Sequence, residues 1–179
     1  MLDKRSIPFL VRNLHCEWEL PEIIDAAGSD PPFEQFLNSR IEALEESSSI
    51  IESLSLDSES ARVVMATDDV LKPLVQFIEH CGYPQSWSRA TEADRQSMQK
   101  IYNICKGALI TTLTSVSGET RNSDVLWNDD SNTNSISWFA SKMLDWIFSF
   151  AEDIKEGKES REDLVICGTL CIGNLIREG

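Results

Sequence analysis

No apolar run in this chain approaches the roughly 18–20 residues that a membrane-spanning helix needs. The start, Met1 to Pro8, is basic, but Phe9-Leu-Val11 is too short for the core of a signal peptide. A cytoplasmic location is the resulting expectation. Basic residues are scarce: Lys and Arg number 16 against 30 Asp and Glu, and the formal net charge is −14. No Lys/Arg cluster exists that could release counterions from phosphate, so nucleic acid is disfavoured as a partner. Sustained apolar–polar alternation is missing, which argues against strands. No glycine-rich loop follows a strand pattern, so the phosphate cradle of nucleotide-binding enzymes is not expected.

What is present points to helices. Hydrophobic residues make up 41% of 179 positions, enough to bury a core in one domain or in a few repeats of an array. Apolar residues recur at steps of three and four almost throughout, and the chain reads as all-α. A first segment, Ile7 to Trp18, carries Leu10, Leu14 and Trp18 on one face. After a loop ending at Pro32, Phe33, Leu37, Ile41, Leu44 and Ile51 form the stripe of a longer helix. Glu42, Glu45, Glu46 and Glu52 are placed toward water. Two short helices follow, one marked by Ala61, Val64 and Met65 and the next by Leu71, Leu74, Val75 and Ile78. Asp68 to Pro73 is read as lying between them, with Pro73 near a helix start.

Thr91-Glu-Ala-Asp94 and Ser160-Arg-Glu-Asp163 place a hydroxyl three residues before an acid, as a capping box does. The helical bodies beyond them also match. Lys106-Gly-Ala-Leu-Ile-Thr-Thr-Leu113 lies against Cys167-Gly-Thr-Leu-Cys-Ile-Gly-Asn174, pairing Gly107 with Gly168 and Leu109 with Leu170. Between the bodies lies Gly118 to Ser135, whose second half is polar and turn-rich, so the stretch reads as a loop insertion. Without it the spacing approaches the roughly 40–47 residues of armadillo or HEAT units. Trp138, Met143, Trp146, Ile147 and Phe150 supply another apolar helix.

These residues resemble an armadillo-repeat protein. Met65-Ala-Thr-Asp-Asp-Val-Leu-Lys-Pro-Leu-Val75 is similar to the start of that repeat's second helix. Gly168-Thr-Leu-Cys-Ile-Gly-Asn-Leu-Ile176 is similar to its third. Within the superfamily the run resembles the SmgGDS family, dissociation stimulators and chaperones of small GTPases. The resemblance implies an armadillo/HEAT-like right-handed α-solenoid over residues 55–179, with an insertion at about 118–135. Residues 1–54 form a helical segment outside it. It further implies a scaffold, not an enzyme, that binds a small GTPase of the Rho/Ras type through its body and basic C-terminal tail. No cofactor, metal or direct membrane insertion is implied. A generic armadillo-type adaptor for protein–protein interaction is the alternative. Leu170, Leu175 and Ile176 leave an apolar edge where an array would continue, so the sequence reads as a fragment.

Asn174 is the leading contact residue, because in armadillo domains its counterpart bonds the backbone of an extended peptide; capping of its own helix or bonding to a neighbouring loop is the competing role. Arg177 and Glu178 lie three and four residues on, along the same helix surface. Importin-α-like arrays carry Trp four residues before this Asn; Leu170 stands there, which disfavours nuclear-import recognition. The matching position in the earlier helix is Leu113, an apolar residue with core character, and Ser117 follows one turn later. Asp129, Asp130, Glu152 and Glu156 could attract a basic tail, although solvated charge is the ordinary role of such residues.

For chemistry there is little. His15-Cys16 and His80-Cys81 are adjacent pairs whose side chains diverge on a helix. Cys167 and Cys171 are one turn apart, but no neighbouring His or Cys completes a tetrahedral zinc set. The five cysteines are an odd number, and Cys81, Cys105, Cys167 and Cys171 sit in apolar helical patterns. Reduced, packed thiols are expected. A helical enzyme using Cys81 or Cys105 as nucleophile is the remaining rival.

Overall fold

The computed structural model describes residues 4–15, 31–80, 91–127, 137–156 and 161–177. Among these every regular element is helical, and no strand occurs. In chain order they are α1 (Ile7–His15), α2 (Pro31–Asp57), α3 (Glu59–Met65), α4 (Asp68–His80), α5 (Glu92–Ser117), α6 (Ser123–Trp127), α7 (Trp138–Glu156) and α8 (Glu162–Arg177). Short 3-10 turns precede α1 at Lys4–Ser6 and α6 at Thr120–Asn122. No helix among the described residues is long and apolar enough to cross a membrane.

The helices gather into two compact units. The first comprises Met1–Ser53 and Asp69–Leu109; the second comprises Leu54–Asp68 and Ile110–Gly179. In the first unit α1 buries Ile7, Leu10, Val11 and Leu14. Arg40 of α2 donates to the carbonyls of Asn13 and Leu14, which belong to the last described turn of α1. Leu44 and Ile51 of the long stripe are buried, while Glu42 and Glu46 are exposed. Phe77 of α4 meets Tyr102 of α5 with ring centroids 5.9 Å apart, a tilted contact within the favourable range.

One boundary differs from its expectation. Asp68 to Pro73 is helix, not connection, because Val70 and Leu71 are buried in register with Leu74, Val75 and Ile78. Pro73 sits in the second turn. Burial on that face offsets the ladder bond that its missing N–H forfeits.

In the second unit Ser58 caps α3, its hydroxyl oxygen accepting from the Ala61 amide at 3.2 Å. The α7 and α8 helices pack closely together, and α6 touches both. Gly168 makes the α7–α8 approach possible. A Cβ there would stand 2.6 Å from the Met143 carbonyl oxygen and 3.2 Å from an Ile147 side-chain carbon.

The expected insertion at 118–135 is corrected over its first half. Thr120 to Trp127 is helical, with Asn122 and Leu126 buried. Leu126, in the apolar run Val125-Leu126-Trp127, supplies that core contact. Residues 128–135 lie outside the described residues.

Candidate functional site

The last helix, α8, divides sharply by surroundings. Leu164, Cys167, Gly168, Cys171 and Leu175 are buried. Ile166, Leu170 and Ile176 are exposed at 58%, 49% and 65%. Thr169, Gly173 and Arg177 are exposed as well. At 100° per residue these six fall within one arc of about 120°. This arc is apolar at three positions, carries a cation at its end, and is open at Gly173, where an added Cβ would meet nothing within 4 Å.

Asn174 stands beside this arc and turns inward. Its side-chain amide donates to the Thr114 carbonyl at 3.0 Å and to the Ser117 hydroxyl at 3.2 Å. Both amide hydrogens are thereby used on the C-terminal turn of α5. The Thr114 carbonyl also accepts from the Gly118 amide at 3.1 Å and from the Ser117 hydroxyl at 2.9 Å. Asn174 thus helps satisfy a helix end, and its Oδ1 is the atom left for a ligand.

The structure brings Asn174 and Ser117 together. Ser117 and Leu113 are both buried. Arg177 is exposed on α8 and Glu152 is exposed on α7. Glu156 belongs to the backbone of α7, but its side chain lies outside the described residues, as do Glu178, Asp129 and Asp130.

The 107/168 and 109/170 pairings do not describe equivalent positions. Gly107 is exposed and an added Cβ there would meet nothing within 4 Å, whereas Gly168 is buried against α7. Leu109 is fully buried and Leu170 is half exposed. Sliding the match by one residue pairs buried with buried: Cys105 with Cys167, Leu109 with Cys171, Leu113 with Leu175.

Arg62 was not singled out by the sequence, yet it ties several chain ends together. Its guanidinium donates to the Ser55 carbonyl at 2.8 Å and to the Leu56 carbonyl at 3.2 Å, both at the end of α2. The same group pairs with Glu119 at 3.1 Å. Asn122 then donates to the Arg62 and Val116 carbonyls. The available signal was an Arg set inside the apolar run from Ala61 to Met65.

Thiol chemistry is restrained. Cys105 is buried, and burial pushes its thiol above the ordinary value of 9.0, the nearby Ser48 only partly opposing this. Cys171 moves the other way, lowered first by its hydrogen bond with Cys167, against the effect of burial. Cys16 and Cys81 lie outside the described residues. Among the described residues no group of three or more His, Cys, Asp or Glu is placed to hold a metal ion.

No family model, curated protein or solved structure matches this chain.

Proposed function

We propose that this chain is a non-enzymatic binding scaffold for a small GTPase, in which α8 and its neighbours act as part of an armadillo/HEAT-like α-solenoid. The carrying observation is the outer arc of α8, with Ile166, Leu170 and Ile176 exposed beside Arg177. Exposed large apolar residues grouped on one helix face are characteristic of interaction surfaces. The net charge of −14 favours encounter with a basic segment, through attraction that salt screens.

On this reading the protein performs no bond chemistry. Binding energy favours a nucleotide-released or tail-captured GTPase, and the balance shifts by the difference in affinity between states. The acidic Glu152 adds to the field that would draw a basic C-terminal tail. Asn174 contributes by fixing α8 on the end of α5, and its Oδ1 is available to an approaching peptide amide.

A pull-down with Rho- or Ras-type GTPases, with and without their basic tails, tests this. Greater retention of the tailed form is expected, falling as salt rises. Equal and negligible retention of both forms counts against the proposal. Salt-insensitive capture of unrelated proteins would favour a generic adaptor.

A further inference from the structure

We propose that Cys167 and Cys171 form a two-coordinate site for a soft monovalent cation, of which Cu(I) is the representative. Four residues apart on α8, they share one helix face. Their sulfurs stand 4.0 Å apart and both side chains are fully buried. Metal–thiolate bonds of about 2.3 Å reach both sulfurs with an angle of about 120° at the metal, and side-chain rotation that parts the sulfurs to about 4.6 Å makes the arrangement linear. Thiolates are soft ligands that select Cu(I), whereas zinc in a structural site takes four ligands. The described residues supply no third His, Cys, Asp or Glu. Digonal coordination is what this pair can offer.

Thr114 and Ser117 lie on the turn of α5 to which Asn174, three residues beyond Cys171, is bonded. At present the Ser117 hydroxyl donates to the Thr114 carbonyl and the Thr114 hydroxyl to the Ile110 carbonyl. Rotation toward sulfur would direct them at the negative charge left when one monovalent cation meets two thiolates. On loading, two S–H protons go to solvent, two S–Cu bonds form, and no electron is transferred. Because both thiols are buried, the ion enters when the last turns of α8 open, so uptake is slower than at exposed thiols.

The test is an anaerobic titration of the reduced full chain with Cu(I) against a chromogenic Cu(I) chelator. Wild type and Cys105→Ala should each withdraw one equivalent. Cys167→Ala and Cys171→Ala should lose more affinity than the roughly 10–100-fold that loss of an outer-shell partner produces. X-ray absorption on the loaded wild type avoids dependence on the variants folding, and two sulfur neighbours with no nitrogen are expected. No uptake by wild type, undiminished uptake by the double variant, or three or more ligands in the spectrum would overturn the site. None of these outcomes depends on GTPase binding.

Discussion

Lys106–Leu113 in α5 and Cys167–Asn174 in α8 share a Gly-x-Leu start, yet the shared residues live in opposite surroundings. Gly168 lies against the Met143 carbonyl, while Gly107 faces open space. Leu109 is core; Leu170 is half exposed. Two helices can carry the same short string with their buried faces one residue out of phase. A step of one residue is 100° of rotation, enough to move a side chain from core to solvent. Identity of letters is therefore weaker than identity of phase.

The largest contrast is expected at the leucines. Leu109→Ala removes a fully buried side chain and should destabilise by about 2–5 kcal/mol. Leu170→Ala, on the outer arc of α8, should stay near the roughly 0.5 kcal/mol typical of surface positions. Urea unfolding followed by circular dichroism separates them, and equal losses would break the contrast.

The glycines should differ in sign. Gly168→Ala places a methyl group 2.6 Å from a backbone oxygen, so α7 and α8 must part, at about 1–3 kcal/mol. Gly107→Ala meets no atom within 4 Å and gains helix propensity, stabilising by roughly 0.8–1 kcal/mol. A thermal melt of each variant gives the sign directly. Destabilisation by both would mean that α5 is covered where it is described as open.

At Asn174 a smaller effect is expected. Asn174→Ala removes two hydrogen bonds, but the Thr114 carbonyl keeps the Gly118 amide and the Ser117 hydroxyl. A loss of about 1 kcal/mol follows. Asn174→Asp keeps the acceptor and removes the donors, so its stability should fall similarly. If only peptide or GTPase binding changed in either variant, Asn174 would be a contact residue alone.

The finest contrast is between thiols. Cys105 has a raised pKa because burial disfavours its thiolate, and alkylation proceeds through the thiolate. Its labelling should therefore stay slow through neutral pH and rise only above the ordinary thiol value of 9.0. Ionisation of the unfolded chain begins first as pH increases, so this thiol's contribution to stability is full below that value and declines above it. Rapid labelling of Cys105 at pH 7 would revive the nucleophile reading.

Much of the helical content was legible because apolar spacing is a local property. The stripe through Leu44 and Ile51, and that through Leu71, Leu74, Val75 and Ile78, came directly from steps of three and four. The start of α4 at Asp68 was less legible, since burial of Val70 and Leu71 acts through tertiary contact. Asn122 and Leu126 were hidden by their polar neighbours for the same reason. Asn174 could be recognised as significant from its place in an apolar helix. Its bonding to Thr114 and Ser117 could not, because those residues are 60 and 57 positions away. Arg62 is hard to foresee because two of its targets are backbone carbonyls, which leave no mark on residue type, and the third, Glu119, is 57 positions away.

Fluorescence anisotropy of a nucleotide-labelled small GTPase, titrated with wild type and with Leu170→Asp at two salt concentrations, most directly probes whether the outer arc of α8 is a working surface. Wild type should bind the tailed GTPase, more weakly at higher salt, and Leu170→Asp should abolish binding while the chain remains folded. Unchanged affinity in Leu170→Asp, or no binding by wild type at either salt, would contradict it.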